Sequence, residues 1–234
     1  MSQPIPQTKP PSPGSEGVFL VDKPSGITSH RLVNQVRNLT GIKRVGHAGT
    51  LDPLASGLMI ILVGRQFTKQ QNKFLKLSKE YLCTAQFGLV TDTYDSQGQI
   101  LDQASWDQIE TITAQQTEQA LEQFRGKIEQ TVPAYSAVKQ NGSKLYELAR
   151  KGELEQKDLP SRTVEIQELE LKKFDLNHTE KTLEITLRLT VSSGTYVRSL
   201  VHDLGKVLGV GAIVTELRRT RVGDYSITNA IKLD

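Results

Sequence analysis

One carboxylate lies alone in a long basic part of the chain. Between Asp22 and Glu80 the sequence has ten Lys or Arg residues and a single acid, Asp52. Asp52 belongs to the segment GHAGTLDPLASG, residues 46–57, whose three glycines let a ligand approach the backbone closely. Pro53 disfavours helical backbone at the preceding residue, so an extended backbone is predicted at Asp52. Such a group could be a nucleophile held at the edge of a cleft, or an ordinary turn or capping aspartate.

A carboxylate on an anion-binding surface needs a cation beside it. Arg198 is the candidate, because it lies in SSGTYVRSL, where a glycine turn precedes a predicted helix. A pair of unit charges about 4 Å apart is worth roughly 4 kcal/mol at an effective dielectric constant of 20, which would keep Asp52 charged and nucleophilic. Arg198 could also be an exposed arginine at a helix N-terminus. His47, five residues before Asp52, could reach the same cleft edge or be a surface histidine.

Positive charge is segregated along the chain. A second basic cluster, residues 188–221, has six Lys or Arg against two acids, although the net charge of the whole chain is only +3. Such segregation is typical of proteins that bind a polyanion such as nucleic acid, whereas scattered surface ion pairs would give the same counts. The candidates for phosphate contacts are Lys43, Arg44, Lys69, Lys73, Lys76 and residues 218–221.

The sequence lacks the motifs of several enzyme classes. The sequence has no GxxxxGK[ST], complete GxGxxG, GxSxG, CxxC or HExxH. With one cysteine and four scattered histidines, a zinc site is not expected. The N-terminus has no secretory signal and no run of 18 apolar residues occurs, so we expect a cytoplasmic protein with no membrane span.

Strands and helices must position these groups. Strands are predicted at residues 18–21, 58–63, 81–87, 164–176 and 183–191, and helices at 31–39, 113–124, 145–149 and 197–208. Thr113 and Gln116 resemble a capping box, and TDTYDSQG, residues 91–98, is a predicted turn. The apolar residues predicted to face inward in the last helix are Leu200, Val201, Leu204, Val207 and Leu208. Ser29 is the predicted N-cap of the first helix and Gly41 its end, while residues 213–217 could be either element. Adjacent strands with interspersed helices favour an α+β fold with a mixed, mainly antiparallel sheet flanked by helices.

Proline usage predicts the domain organisation. Five of the nine prolines lie in the first 13 residues, which indicates a disordered N-terminal tail over residues 1–16. No Pro/Gly/Ser-rich linker follows, so we expect one catalytic domain over residues 17–234.

Five blocks resemble the bacterial TruB-type tRNA pseudouridine(55) synthases, in order, over residues 17–227. They are GVFLVDKPSGITSH, GHAGTLDPLASGLM, KEYLCTAQFGLVTDTYDSQG, VPAYSAVKQNGSKLYELARKG followed by RTVEI, and SSGTYVRSLVHDLG with LRRTRVG. The resemblance implies the pseudouridine synthase fold with a central RNA-binding cleft. It also implies conversion of uridine to pseudouridine at position 55 in the TΨC loop of tRNA, without metal or cofactor. We further expect a monomer with no obligatory protein partner.

The resemblance also implies roles for residues. Asp52 matches the essential aspartate, with attack at ribose C1′ or uracil C6 left open. Tyr81 matches the tyrosine that stacks on the target base and is a candidate for proton transfer, although it could be a core strand aromatic. Arg198 matches the arginine that pairs with the aspartate, and His47 a histidine that helps to displace the base. The other substrate-binding residues implied or predicted are Tyr196, Lys23, Lys43, Arg44, Arg218 and Arg219.

One departure from the family and two alternatives remain. Many members continue into a small PUA-type RNA-binding domain, which is not evident before Asp234. This puts in doubt how far the chain reaches along the acceptor stem of tRNA and how tightly it binds tRNA. The chain could instead be a tRNA-binding or folding chaperone in which catalysis is secondary. It could also be a relative of the guide-dependent rRNA pseudouridine synthases, which work with partner proteins.

Overall fold

A computed structural model describes residues 6, 7, 9–140, 142–154 and 158–233. The chain groups into two compact units. The first unit comprises residues 1–82 and 217–234, and the second comprises residues 83–216. Both boundaries fall inside strands, so no linker separates the units in sequence.

Strands outnumber helices along the described part of the chain. The strands are β1 Gly17–Lys23, β2 Val45–His47, β3 Ser56–Val63, β4 Lys79–Phe87, β5 Leu89–Thr91, β6 Ile100–Gln103, β7 Gly126–Thr131, β8 Lys139–Gln140, β9 Ser143–Lys144, β10 Ser161–Asn177, β11 Thr182–Val191, β12 Ala212–Val222 and β13 Tyr225–Ser226. The α-helices are α1 Ser29–Thr40, α2 Arg65–Thr68, α3 Gln71–Leu75, α4 Trp106–Ile109, α5 Ala114–Glu122, α6 Leu145–Arg150 and α7 Val197–Val207. A 3₁₀ turn, Ile227–Asn229, follows β13.

Strand β3 is the centre of the first unit. Its continuous apolar run, residues 57–63, is buried along its whole length, as predicted for residues 58–63. Strand β1 pairs antiparallel with β3, from Gly17 opposite Val63 to Lys23 opposite Gly57, and β2 also pairs antiparallel with it. The C-terminal part of β12 pairs parallel with the start of β3. The end of β1 and the start of β3 are therefore adjacent where residues 46–57 finish.

Helix α1 packs an apolar stripe that has the predicted helical spacing, with Leu32, Val33 and Val36 buried. Its N-cap is Thr28, whose Oγ1 accepts a hydrogen bond from the N–H of Arg31 at 3.1 Å, so the prediction of Ser29 was wrong by one residue. Both residues carry hydroxyls, and the local pattern does not distinguish them. The predicted end at Gly41 is confirmed, with a left-handed φ of 69°.

The second unit places its strands in the order β4-β11-β10-β7. The long pairs β10–β11 and β10–β7 are antiparallel, and α5 and α7 pack against each other. Both predicted long strands are confirmed, and the ambiguous segment 213–217 is a strand. In α7, Leu200, Val201 and Leu204 are buried as predicted, whereas Val207 is 46% exposed and the prediction for it was wrong.

The N-terminal segment makes backbone contacts where the structure describes it. The N–H of Gln7 donates to the carbonyl of Val18 at 2.8 Å, and the N–H of Gly14 to that of Thr40 at 2.8 Å. Residues 1–5 and 8 of the predicted disordered tail lie outside the described residues. The disorder of residues 1–16 and the single domain over 17–234 stay predictions.

Nothing in the described part of the chain resembles a membrane-spanning helix in both length and apolar character.

Candidate active site

Residues 46–57, which we name the aspartate loop, are held by hydrogen bonds on both sides of Asp52. The N–H of Leu51 donates to Ser29 Oγ at 2.9 Å, and the Ser29 hydroxyl donates to Leu51 O at 2.8 Å. On the other side, the N–H of Gly26 donates to Pro53 O at 2.8 Å. Asp52 itself is half-buried. The backbone on either side of the carboxylate is therefore fixed by Gly26 and Ser29.

Lys23 is a buried cation near this loop. Its side chain is 0% exposed, and Nζ donates to Pro24 O at 2.9 Å and to Ile27 O at 2.8 Å. Burial lowers the pKa of Lys23 to about 8, the negative charge of Asp52 opposes that shift, and the Arg219 guanidinium adds to it. Lys23 thus holds the segment that contacts the loop, and it stays charged near pH 7.

Arg219 is a buried arginine that hydrogen-bonds both within the aspartate loop and just after it. It is 1% exposed, and its guanidinium donates from Nε to Leu58 O at 2.7 Å and from Nη2 to Gly49 O at 3.1 Å. A Cβ at Gly57 would lie 2.7 Å from the backbone nitrogen of Arg219, and Gly57 has a φ of 108°. This geometry favours a structural role for Arg219 over the phosphate contact expected from the sequence.

Lys79 is a third buried cation, and it was not predicted as a site residue. It is 6% exposed, and Nζ donates to Leu75 O and Leu77 O, each at 2.6 Å. Burial, followed by the charge of Arg219, lowers the pKa of Lys79 to about 8. Lysine is rarely buried, so nothing in the local sequence indicates this placement.

His47 and Tyr81 lie on strands of the first unit. His47 is half-buried at the end of β2, and burial and the charge of Arg219 lower its pKa. Its backbone carbonyl accepts a hydrogen bond from Gln71 Nε2 at 2.7 Å. Tyr81 is 8% exposed on β4. His47 is therefore neutral near pH 7, and Tyr81 is largely withdrawn from solvent.

Three other predicted RNA-binding residues of the first unit are more accessible. Lys43 and Arg44 are exposed in the segment before β2. The Arg218 side chain is 42% exposed, and its guanidinium bonds to Asp22 Oδ2 at 2.7 Å and to Ser56 Oγ at 3.2 Å. Lys43 and Arg44 are thus placed where a polyanion can reach them, whereas Arg218 already has an acidic partner.

In the second unit, Arg198 is 4% exposed, so the alternative of an exposed helix-terminal arginine was wrong. Its guanidinium donates to Thr93 O at 2.6 Å and to Tyr135 O at 3.1 Å, and Nε lies 3.7 Å from Asp95 Oδ2. Asp95 in turn accepts hydrogen bonds from the Thr93 hydroxyl at 2.7 Å and the N–H of Gln97 at 3.1 Å. The predicted turn over residues 91–98 therefore holds this arginine.

Tyr196 is the N-cap residue of α7, and Gln130 fixes its backbone. The N–H of Tyr196 donates to Gln130 Oε1 at 2.7 Å, and Gln130 Nε2 donates to Tyr196 O at 3.0 Å. The guanidinium of Arg162 lies 5.4 Å from the centre of the Tyr196 ring. Gln130 is 1% exposed, so this pairing sets the start of the helix that carries Arg198.

Four supporting residues were not predicted from the sequence: Ser29 as a loop contact, Lys79, Asp95 and Gln130. Of these, Asp95 had the nearest signal, because TDTYDSQG was recognised as a turn cluster. In the described part of the chain, no three His, Cys, Asp or Glu side chains are grouped as a metal site would require.

Comparison with known proteins decides the family. The family model for the N-terminal domain of TruB family pseudouridylate synthases matches residues 37–197. The chain belongs to the TruB family. The model for the C-terminal domain of tRNA pseudouridylate synthase B matches residues 198–234, so the two matches together extend from α1 to the last residue.

Curated TruB relatives match over most of the chain. The tRNA pseudouridine synthase B of Protochlamydia amoebophila is 42% identical over 92% of this chain and 78% of its own length. That of Desulfotalea psychrophila is 43% identical over 92% of this chain and 85% of its own length. That of Corynebacterium diphtheriae is 39% identical over 93% of this chain and 71% of its own length.

Solved structures show the same fold. A chain of a Cbf5–Nop10–Gar1 complex superposes with a TM-score of 0.68 at 28% identity, over 92% of this chain and 52% of that one. A chain of an H/ACA ribonucleoprotein bound to a substrate RNA containing 2′-deoxyuridine gives a TM-score of 0.64 at 25% identity, over 92% and 50%. This TruB chain thus spans about half the length of those chains. The predicted α+β pseudouridine synthase fold, TruB membership and enzyme class are confirmed.

Proposed function

We propose that this chain converts uridine to pseudouridine at position 55 in the TΨC loop of tRNA. The curated relatives are named as tRNA pseudouridine synthases, which supports the substrate class. The observation that carries the proposal is the fixed backbone on both sides of Asp52, in a loop that has the buried cations Lys23 and Arg219 beside it. A reactive group must be held in a productive geometry, and a rigid loop does this.

The reaction is an isomerisation, in which no atom is gained or lost. The C1′–N1 bond of uridine breaks, the uracil turns, and C1′ joins C5, whose proton leaves while N1 ends protonated. Asp52 is the nucleophile of this proposal, attacking either ribose C1′ or uracil C6. The chemistry needs no redox step, and we propose that it proceeds without metal or cofactor.

Tyr81 and Arg198 complete the proposed catalytic set. The target base must leave its stack, which costs a few kcal/mol, and an aromatic platform such as Tyr81 returns about 1–3 kcal/mol. Arg198 is proposed, from the family resemblance, to balance the charge of Asp52. The contacts of Arg198 with Thr93 O and Tyr135 O support a fixed guanidinium.

RNA binding is assigned to exposed cations and to the wall of the site. Lys43 and Arg44 are accessible for phosphate contacts, which hold the register of an RNA but do not read its sequence. His47 is proposed to help displace the base, and its neutral state avoids attraction to phosphate. Tyr196 is proposed to line the site. Binding should weaken steeply with salt, since phosphates would be neutralised.

A guide-dependent enzyme is the first alternative to this proposal. A guide-dependent enzyme is suggested by the solved structures, which are complexes with further components. We instead propose a monomer that acts in the cytoplasm on bare RNA. Activity on an isolated TΨC stem-loop, with no other protein or RNA, supports this, and an absolute need for another component would overturn it.

The decisive experiment compares Asp52→Asn with the wild type. Tritium release from tRNA labelled at uridine C5 should fall below detection in Asp52→Asn, while the dissociation constant for tRNA stays within a few-fold. Asp224→Asn, at an exposed acid, is the matched control and should remain active. Tritium release by Asp52→Asn at the wild-type rate would disprove the role of the nucleophile. Intact tRNA folding activity in that variant would support an added chaperone role.

A further inference from the structure

The Ser29 hydroxyl has a use that its position in the helix does not explain. Ser29 is the first residue of α1, but Thr28 is the N-cap, so the helix does not need the Ser29 hydroxyl. Ser29 is 4% exposed. Its Oγ both accepts from the N–H of Leu51 and donates to Leu51 O, at 2.9 and 2.8 Å. A single buried side chain thus satisfies both backbone groups of the residue before Asp52.

Both hydrogen bonds act on the peptide planes that lead to Asp52. The carbonyl of Leu51 belongs to the peptide bond whose nitrogen is that of Asp52, so its direction sets where the Asp52 Cα–Cβ bond points. Leu51 is 3% exposed, so water does not readily replace these bonds. If the hydroxyl were removed, a buried N–H and a buried C=O would both lose their partner and the plane would be free to rotate.

The rest of the loop is anchored separately. The Ser25 hydroxyl donates to Leu54 O at 2.7 Å, the N–H of Gly26 donates to Pro53 O at 2.8 Å, and Arg219 holds Gly49 O. These contacts would keep the loop in place without Ser29. A change at Ser29 should therefore alter the local direction of Asp52 rather than unfold the loop.

We propose that Ser29 is a positioning residue for Asp52, which orients the carboxylate by fixing both backbone groups of Leu51. This inference rests on the proposed function, in which Asp52 reacts with the RNA. Displacement of a reacting group by about 1 Å is enough to lower a rate by about 100-fold. Ser29 makes no proposed contact with RNA, so the affinity for RNA should not change.

The test uses neighbouring residues with different roles. Ser29→Ala removes the loop contact, and Thr28→Ala removes the helix cap one residue earlier, so it controls for loss of stability. Single-turnover pseudouridine formation at saturating tRNA should fall about 10- to 100-fold in Ser29→Ala, with the dissociation constant for tRNA within twofold. Thr28→Ala should lower thermal stability and leave the single-turnover rate within twofold. Ser29→Thr, which keeps a hydroxyl, should recover most of the rate.

A second measurement does not depend on activity. Hydrogen exchange of the Leu51 amide should be at least about tenfold faster in Ser29→Ala than in Thr28→Ala, because only the former removes its acceptor. If Ser29→Ala does not fold, Ser29→Cys takes its place, since a thiol fills the site but hydrogen-bonds weakly.

The outcomes separate this inference from the proposed function. Wild-type rate in Ser29→Ala, together with an inactive Asp52→Asn, would overturn the role of Ser29 alone. Equal loss of rate in Ser29→Ala and Thr28→Ala, in proportion to their loss of stability, would also overturn it. An active Asp52→Asn would instead overturn the proposed function.

Discussion

The buried ring of His202, on α7, should make the stability of the protein depend on pH. His202 is 5% exposed and stacks on Tyr94, with ring centroids 3.7 Å apart and an angle of 12° between the planes. Neither ring nitrogen has a hydrogen-bond partner among the residues that the structure describes. Burial, and to a lesser degree the charge of Lys206, lowers the pKa of His202 to about 4. The ring is therefore kept neutral in the folded protein.

The magnitude follows from the difference between the folded and unfolded states. An unfolded histidine has a pKa of about 6.5 and binds a proton as the pH falls through that value, whereas folded His202 does not until about pH 4. Because the unfolded state binds more protons, stability falls as the pH is lowered. The effect is near zero at pH 7.5, about 2 kcal/mol at pH 5 and about 3 kcal/mol when fully developed.

His202→Phe isolates this contribution, because it keeps an aromatic ring against Tyr94 and has no ionisable nitrogen. Urea unfolding at pH 7.5 and pH 5 should show that the wild type loses about 2 kcal/mol more than the variant. Other titrating groups are the same in both proteins and cancel. His178→Phe is the control, since the His178 side chain is 69% exposed. Equal losses in the wild type and His202→Phe would refute a buried, neutral His202.

Three further perturbations test the core of the first unit and the single cysteine. Gly57→Ala should lower the free energy of unfolding by several kcal/mol or prevent folding, because φ is 108° and the new Cβ would meet the Arg219 backbone. Gly41→Ala is the control for thermal unfolding, and it should cost only about 1–2 kcal/mol because there is open space around Gly41. Arg219→Met should lower the free energy of unfolding, measured by urea titration, by about 3 kcal/mol, since two carbonyls lose a charged donor. Arg221→Met, at an exposed site, is the control and should change that free energy by less than about 0.5 kcal/mol. Cys83 is fully buried and its pKa is raised to about 12, so a maleimide should label it at pH 8 only after unfolding; rapid labelling of the folded protein would contradict this burial.

Local patterns predicted the elements whose signal lies within one element. The apolar run over residues 58–63 is a buried strand, and the capping box of Thr113 and Gln116 opens α5 as expected. The same kind of pattern was wrong at Val207, because an apolar position in the last turn of a helix is buried only if a neighbouring element extends as far.

The sequence and the resemblance name the proposed reactive groups, whereas the residues that hold them were found only in the structure. The resemblance proposes Asp52 as the reacting group, whereas the partners of its loop depend on tertiary contacts that no local pattern carries. Ser29 and Leu51 are 22 residues apart, and Arg219 and Gly49 are 170 apart. Lysine and arginine are usually exposed, so residue type alone predicted an RNA contact for Arg219 and gave no sign that its guanidinium is buried against Gly49 O and Leu58 O.

The buried cations beneath the aspartate loop have a consequence for the enzyme in its surroundings. The hydrogen bonds of Lys23, Lys79 and Arg219 go to backbone carbonyls, whose dipoles solvate a positive charge without cancelling it. Salt screens buried charges much less than exposed ones. The attraction for a negatively charged group at the loop should therefore persist at ionic strengths that release the exposed lysines from RNA. The chemistry proposed for Asp52 should therefore depend less on salt concentration than the affinity for RNA does.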